Sequence, residues 1–305
     1  MELLYFFERL RVPGLNEFML VVTTLGEETA FLVIALVLFW CVDKYVGYYT
    51  LFVGFTGTLA NQFMKLWFRI PRPWVLDENF TILEQAREAA TGYSFPSGHT
   101  QSAVGTFGCI ASTTKNRAVQ IAAIVIAVLV PLSRMYIGVH TPLDVGVSIL
   151  VAIALIFILR PLALSGDSRY MSILLGVMLL LAVGFLCFVE LYPFPADIDE
   201  HNYLSGVKNA YTLLGALLGA VAVYIVDEKW IKFPTNAVWW AQLVKIAVGL
   251  GLVLIVKSGT KELLNMLFGE SVGRAVRYFM IVAVAGALWP LTFRWFSKLG
   301  CKEKR

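Results

Sequence analysis

Three short polar clusters contain most of the side chains in this sequence that could carry out chemistry. They comprise Lys65, Arg69 and Arg72, then Pro96, Ser97, Gly98 and His99, and finally Ser133, Arg134, His140 and Asp144. The clusters combine fixed cations, a carboxylate and two of the chain's three histidines. Cations neutralise the charge on phosphate oxygens, and histidine can act as a nucleophile or as a general acid and base. The set therefore favours binding a phosphate group and breaking a bond to it.

The composition predicts that membrane-spanning helices position these clusters. The chain has 305 residues, 58% of them hydrophobic, and several apolar runs of about 20 residues are long enough to cross the hydrocarbon layer. We expect an all-α, polytopic transmembrane helix bundle of about nine spans. The expected spans lie near 17–42, 46–69, 98–115, 117–136, 142–163, 170–192, 207–227, 237–257 and 274–297. Gly26-Glu27-Glu28 interrupts the first, where we favour a break between two helices over a polar patch that faces a cavity.

Charge and cysteine content give no support to several other classes of protein. The net charge of +4 gives no argument for nucleic-acid binding, and the four cysteines lack the paired spacing of a metal or redox site. No cluster of carboxylates predicts a divalent-ion site, so we expect neither a metal nor another cofactor. We also expect no cleaved signal peptide, because the N-terminus lacks a cationic segment and a small-residue cleavage site.

The first cluster ends a predicted helix that carries a polar stripe. Thr58, Asn61, Gln62 and Lys65 follow helical spacing, so they share one side of an otherwise apolar helix. A polar stripe in a membrane is expected to face the interior of the bundle. Arg72 follows Lys65 by two helical turns if the helix continues, although the neighbouring prolines are expected to end it. The alternative is that these cations only extend to lipid headgroups.

The second cluster lies where a loop becomes a helix. Ser97 is a preferred helix N-cap, and Gly98 allows a ligand to approach the backbone closely. The unpaired N–H groups and the dipole at a helix start attract an anion such as phosphate. His99 then points into the same space. The alternative is an ordinary helix cap followed by an interfacial histidine.

The third cluster contains a strong helix-start signature. Thr141 is the expected N-cap, Pro142 the first helical residue and Asp144 the third. His140 precedes Asp144 by four residues, so we expect the carboxylate to accept one ring N–H. That contact fixes the tautomer and leaves the other ring nitrogen free to act as a nucleophile. Alternatively, Asp144 is only a first-turn acid that interacts with the helix dipole.

These residues, in this order, resemble a known family signature. Lys-x6-Arg-Pro, Pro-Ser-Gly-His and Ser-Arg-x5-His-x3-Asp look like the three motifs of the type 2 phosphatidic acid phosphatase superfamily. Those proteins are membrane lipid phosphatases related to vanadium haloperoxidases and glucose-6-phosphatase. Every signature position is present: Lys65, Arg72, Pro73, Pro96, Ser97, Gly98, His99, Ser133, Arg134, His140 and Asp144. The resemblance covers about residues 20–163 and leaves the later spans unexplained.

The resemblance implies a role for each residue of the candidate site. It assigns phosphate binding to Lys65, Arg72, Ser97, Gly98 and Arg134. It implies that His140 attacks phosphorus to give a phosphohistidine, with assistance from Asp144. His99 would protonate the leaving group and then activate water. No metal is needed, because the cations and the helix-start amides neutralise the charge on the phosphate oxygens.

We therefore expect an integral-membrane phosphatase that acts on a lipid monophosphate or diphosphate. Candidate substrates are isoprenyl diphosphates, phosphatidic acid, phosphatidylglycerophosphate and sphingoid-base phosphates. One alternative is a lipid phosphotransferase that uses the same intermediate with an acceptor other than water. Another is a transporter or scaffold that binds phosphate without hydrolysis. The complete His140, Asp144 and His99 set argues against the last of these. The partners expected are the lipid substrate and membrane lipids, without nucleic acid, and the oligomeric state is open.

The order of the spans places all three clusters on one face of the membrane. The opposite face has twelve Lys and Arg residues, and the cluster face has eight outside the clusters. Because cytoplasmic loops carry the excess of Lys and Arg, we expect the active site on the extracytoplasmic side. The loop from Ala90 to Phe95 has a bacterial look, so we expect a multi-pass protein of a bacterial cell membrane. We assign 1–163 to an N-terminal helix and catalytic core, and 164–305 to additional transmembrane helices.

One cation outside the clusters, Lys245, lies within an apolar run. It comes five residues after Trp240, which is about 7.5 Å along a helix. Tryptophan is typical of the membrane interface, and a lysine side chain can cover that depth. We expect its ammonium group to reach the interface and to take no part in catalysis.

Overall fold

The computed structural model describes residues 1–87 and 90–299, and within those ranges all regular structure is helical. The α-helices are α1 (Glu2–Arg9), α2 (Pro13–Thr24), α3 (Glu28–Val37), α4 (Lys44–Phe68), α5 (Pro73–Leu76), α6 (Gly98–Thr113), α7 (Arg117–Tyr136), α8 (Pro142–Ala163), α9 (Ser168–Leu191), α10 (Glu200–Val226), α11 (Trp239–Gly259), α12 (Lys261–Ala283) and α13 (Phe293–Phe296). The expected all-α architecture is confirmed. Residues 300–305, with Cys301 and three of the cations counted above, lie outside the described residues.

Short stretches of other helical geometry adjoin several of these elements. Single π-helical turns extend α3, α10 and α12 over Leu38–Val42, Asp227–Ile231 and Val284–Leu288. Turns of 3-10 helix lie at Glu84–Ala86 and Trp289–Thr292. α12 breaks at Gly269, whose φ of 77° only glycine adopts readily. The last predicted span, 274–297, begins in the part of α12 that follows this break.

Six helices of the described ranges are long and apolar enough to cross a membrane, and a seventh crossing results if α2 and α3 form one broken span. The predicted break near Gly26 is present, since the helices on either side are bent by 53°. The expected count of nine spans is not confirmed. α6 has only 16 residues, and α4, with 25 residues, contains the polar stripe that lowers its apolar character.

The chain divides into two compact units that alternate along the sequence. Unit 1 comprises Met1–Ile34, Tyr49–Pro161 and Pro193–Gly206. Unit 2 comprises Ala35–Tyr48, Leu162–Tyr192 and the described residues from Val207 onward. All three polar clusters belong to unit 1. The assignment of a catalytic core to 1–163 and of additional helices to 164–305 stays a prediction.

Two apolar clusters in unit 1 hold the helices that carry the candidate site. The first joins α2, α6 and α7 through Val22, Ala103, Phe107, Ala123 and Val130. The second joins α1, α7, α8 and the loop after α5 through Leu4, Phe80, Ile82, Met135 and Val145. Between membrane helices such side chains stabilise the bundle through close van der Waals packing. This packing fixes the helix ends on which the polar clusters lie.

Unit 2 contains a fully buried cation. Lys245 is 0% exposed, and its Nζ donates to the carbonyl oxygens of Trp40 at 2.7 Å and Thr235 at 3.0 Å. The same nitrogen lies 4.1 Å from the centre of the Phe293 ring. The expectation that Lys245 reaches the interface is therefore wrong. Its side chain instead connects α11 to the turn that extends α3 and to the irregular segment before α11, all within unit 2.

Candidate active site

The end of α4 provides the first two cations of the site. Arg69 adopts a left-handed backbone with φ of 50°, so the helix stops there and Arg72 lies in the segment beyond it, not two turns further along the helix. Lys65 is 6% exposed and Arg72 is 7% exposed. The Nζ of Lys65 donates to the carbonyl of Tyr93. Arg69 donates to a carbonyl of its own helix at 3.1 Å instead.

The guanidinium of Arg72 joins the loop before α6 to the loop before α8. Its Nε and Nη2 donate to the carbonyl oxygens of Gly92 at 3.2 Å and Thr91 at 2.8 Å. Its Nη1 donates to the carbonyl of Val139 at 3.0 Å and lies 3.0 Å from Nε2 of His140. A guanidinium has only donors, so Nε2 is the acceptor and the proton of a neutral His140 ring is on Nδ1. Burial lowers the pKa of Arg72 to about 10, and the group stays cationic at neutral pH.

The other ring nitrogen of His140 faces a carboxylate. Its Nδ1 lies 3.4 Å from Oδ2 of Asp144. The same oxygen accepts a 2.6 Å hydrogen bond from Oγ of Ser94 and a 2.7 Å bond from the backbone N–H of Thr141. Ser94 Oγ is also 3.4 Å from Nδ1. Asp144 is thus held by two donors while it faces the ring, which leaves Nε2 directed away from the carboxylate.

Backbone hydrogen bonds connect the three clusters. The N–H of Ser94 donates to the carbonyl of Ile70 at 2.8 Å, and the N–H of Ser97 donates to the carbonyl of Asp144 at 3.2 Å. Ser97 also caps α6, because its Oγ accepts from the N–H of Thr100 at 3.4 Å. The start of α6 therefore lies beside the start of α8, as an anion held between the two would require.

Arg134 enters the site from the last turn of α7. It is 2% exposed, and its Nη1 donates to Oγ1 of Thr23 at 2.7 Å. After the helix, Gly138 adopts φ of 90°, which turns the chain back so that Val139 N–H donates to the carbonyl of Arg134 at 3.2 Å. This turn brings His140 to the same end of the helix as the guanidinium.

His99 is in the first turn of α6 and is held by close backbone packing. A Cβ placed on Gly26 would lie 2.8 Å from the His99 carbonyl and 3.0 Å from its Cβ. The glycine at the break between α2 and α3 therefore lets α6 approach, and it fixes the point from which the imidazole extends.

His140 is buried and is affected by the charges of the other site residues. Burial lowers the pKa of His140 well below its usual value, and the charges of Arg72, Arg134 and Lys65 lower it further, with a smaller effect from His99. Neighbouring cations disfavour the protonated, positively charged form of the imidazole, and the same cations attract an anion. The imidazole is therefore neutral at pH 7, and its Nε2 keeps an unprotonated lone pair, which accepts from Arg72.

Sequence reasoning missed two residues of this arrangement. Ser94 is 0% exposed and contacts both Asp144 and His140, but it lies in an irregular loop with no spacing that marks it. Thr23 holds Arg134 and lies in an apolar run at the end of α2. A polar residue near a helix end was the available signal for Thr23, and it is a weak one.

Comparisons with known proteins agree with this architecture. Residues 44–164 match the PAP2 superfamily, and residues 211–303 match the transmembrane extension of PAP2 superfamily phosphatases. The chain is 31% identical over 164 residues to phosphatidylglycerophosphatase B of Bacillus subtilis, a match that covers 50% of this chain and 76% of the relative. It is 33% identical over 105 residues to undecaprenyl-diphosphatase BcrC of the same organism, covering 34% of this chain and 51% of that relative. No solved structure matches the chain.

The helical fold, the apolar spans and these matches define a membrane-embedded phosphatase, that is, a hydrolase of phosphoric monoesters or diphosphates. The chain belongs to the PAP2 superfamily. The resemblance drawn from the three polar clusters is thereby confirmed. The later helices, which the clusters left unexplained, include the region that matches the family's transmembrane extension.

Proposed function

We propose that this protein hydrolyses a lipid phosphate or diphosphate through a phosphohistidine formed on Nε2 of His140. The observation that carries the proposal is the orientation of that ring. Nδ1 faces the carboxylate of Asp144 at 3.4 Å, whereas Nε2 faces the guanidinium of Arg72 at 3.0 Å. A nucleophilic nitrogen beside a cation is suited to attack a phosphorus atom whose oxygens that cation binds.

Phosphate binding is the first step. The cations Lys65, Arg72 and Arg134 would bind the phosphate oxygens, and Ser97 with the N–H of Gly98 would complete the site at the start of α6. These groups neutralise the negative charge that otherwise repels a nucleophile. They supply the electrostatic stabilisation that a metal ion supplies in other phosphatases, so the proposed reaction is metal-independent.

Two displacements at phosphorus follow. The Nε2 lone pair of His140 forms the N–P bond as the bond from phosphorus to the leaving oxygen breaks, and His99 donates a proton to that oxygen. Water then attacks phosphorus while neutral His99 accepts its proton, and the N–P bond breaks to release phosphate and restore the imidazole. Asp144 stabilises the positive charge that develops on the ring in the first step.

The substrates named for the two relatives point to the substrate class. One relative is named for phosphatidylglycerophosphate and the other for undecaprenyl diphosphate. Both carry a phosphate at the polar end of a long apolar chain, which suits a site built from the ends of membrane helices. We place the protein in a bacterial cell membrane with its site on the extracytoplasmic side, as the distribution of Lys and Arg indicates.

The test is the release of inorganic phosphate from a panel of detergent-solubilised lipid phosphates, with a chelator present throughout. Wild type should hydrolyse at least one lipid of the panel. His140→Ala should lose about a thousandfold or more of the turnover rate, whereas His201→Gln, a change at an exposed histidine in the first turn of α10, should retain it. A brief reaction with a substrate labelled in its phosphate should also leave acid-labile label on wild type and none on His140→Ala. Full activity of His140→Ala, or complete loss of wild-type activity on chelation, contradicts the mechanism.

A further inference from the structure

The polar stripe of α4 is reduced to two inward-facing residues in the structure. Asn61 is 2% exposed and Lys65 is 6% exposed, whereas Thr58 and Gln62 are only partly buried. Among the residues that the structure describes, neither Nδ2 nor Oδ1 of Asn61 has a hydrogen-bond partner. A buried carboxamide normally has partners for both atoms. Its position therefore requires an explanation beyond packing.

The carboxamide of Asn61 faces the start of α6. A Cβ placed on Gly98 would have Asn61 Nδ2, at 3.9 Å, as its one neighbour within 4 Å. One turn earlier on α4 the two helices are in close contact, because a Cβ on Gly57 would overlap the side chain of Gln101 in α6. Asn61 thus lies one helical turn before Lys65 and is directed at the open N-terminal end of α6.

The energetics favour a ligand with acceptor oxygens. Leaving a buried amide without a partner destabilises the folded protein, and such groups are retained where function requires them. The neighbour of the carboxamide is Gly98 in the first turn of α6, where helix-start N–H groups attract an anion, and Lys65 lies one helical turn further along α4. An anion bound there would accept from all of these donors and would also satisfy Nδ2.

We infer that Asn61 is a further phosphate-binding residue, whose Nδ2 donates to a substrate phosphate oxygen held between Lys65 and the start of α6. This inference rests on the proposed function. It adds a further neutral donor to those proposed at the start of α6, and a neutral donor binds the phosphate without increasing the repulsion among the cations.

The experiment compares Asn61→Leu with Gln62→Leu, a matched change of an adjacent, partly exposed amide on the same helix. Without ligand, the unfolding temperature of Asn61→Leu should equal or exceed that of wild type, because an unpaired buried amide is removed. With substrate, its kcat/KM should fall about ten- to a hundredfold, the effect of one hydrogen bond to a charged group. The inhibition constant of vanadate, which mimics phosphate in transfer reactions, should rise by a similar factor, and vanadate should stabilise the variant less. Gln62→Leu should match wild type in all these measurements.

A second variant separates binding from structure. Asn61→Asp has nearly the same shape but places a carboxylate beside the phosphate, so vanadate binding should weaken further than in Asn61→Leu. Unchanged kcat/KM and vanadate affinity in Asn61→Leu would overturn the inference, as would a lowered unfolding temperature with normal vanadate affinity. If wild type itself neither hydrolyses the lipids nor binds vanadate, the proposed function fails, and the inference fails with it.

Discussion

Two regions of the molecule bury cations without an ion-paired carboxylate, and they do so in different ways. In unit 2, Lys245 has two carbonyl acceptors and an aromatic ring around one ammonium. In unit 1, burial lowers the pKa of His140, and the charges of Arg72, Arg134 and Lys65 lower it further. Lys245 is therefore satisfied by the protein alone, whereas the three cations of unit 1 repel one another until an anion binds.

The difference separates a structural cation from a binding cation. Within the described residues, Nε of Arg134 and both amide atoms of Asn61 have no partner, so the site of unit 1 keeps hydrogen-bonding capacity in reserve. Within the described part of the chain Asp144 forms no direct ion pair with these cations, and its Oδ2 accepts from Ser94 and Thr141. Burial alone does not identify a functional lysine. The informative feature is burial together with like charges and unused donors.

Among the changes that test this comparison, Lys65→Met should have the largest effect. Loss of one cation from the site should lower kcat/KM by about a hundred- to a thousandfold. The unfolding temperature without ligand should not fall, because the mutual repulsion of the remaining cations is smaller. Phosphate release and thermal unfolding in the same detergent measure the two effects. A marked drop in stability with retained activity would show that Lys65 resembles Lys245.

The same substitution at Lys245 should have the opposite outcome. Lys245→Met removes the donor to the carbonyls of Trp40 and Thr235 and should cost about 1–3 kcal/mol of stability. The turnover of the folded fraction should stay at the wild-type value. Thermal unfolding together with activity per folded molecule provides the measurement. Loss of turnover without loss of stability would show that Lys245 acts in catalysis or binding and is not a structural cation.

A matched pair of glycine changes tests the packing around each region. In Gly26→Ala the new methyl group lies 2.8 Å from the His99 carbonyl, so His99 should shift and kcat should fall about tenfold. In Gly249→Ala it lies 2.6 Å from Nε1 of Trp289, so stability should fall by about 1–2 kcal/mol while kcat holds. Kinetics and thermal unfolding of both variants distinguish these outcomes. Equal effects of the two changes on kcat would contradict the comparison.

The smallest expected effect is the pH dependence of stability. The pKa of His140 is lowered in the folded protein, so below about pH 6.5 the unfolded chain binds a proton that the folded chain excludes. Stability is therefore present above that pH and decreases as the pH falls toward the folded value, by at most about 1.4 kcal/mol per pH unit. His140→Asn should flatten the dependence between pH 6.5 and 5, and His201→Gln serves as the exposed-histidine control. Parallel curves for wild type and His140→Asn would contradict the expectation.

Local signals explain which features the sequence predicts well. Ser97 caps α6, and Thr141 and Pro142 begin α8 at the expected residues, because capping depends on side chains a few residues apart. The clusters also predict the family, since their residue types and spacing are specific.

The features that the sequence does not reveal depend on contacts distant along the chain. Ser94 reaches Asp144 across fifty residues, and Arg72 approaches His140 only because the chain turns after α4. The environment of Lys245 depends on Trp40, which is more than two hundred residues away. The sequence analysis placed this lysine at the membrane interface because the sequence does not show that the carbonyl of Trp40 is close enough to accept its hydrogen bond.

The shortness of α6 has a consequence for the surrounding lipid. With 16 residues, α6 is about 24 Å long, whereas the hydrocarbon layer is about 30 Å thick. Its two ends cannot both lie at the boundaries of an undeformed bilayer, so a crossing by α6 would require local thinning or a recessed helix end to offset a hydrophobic mismatch of about 6 Å. The turnover rate should then depend on the acyl-chain length of the host lipid and be higher in thin vesicles than in thick ones.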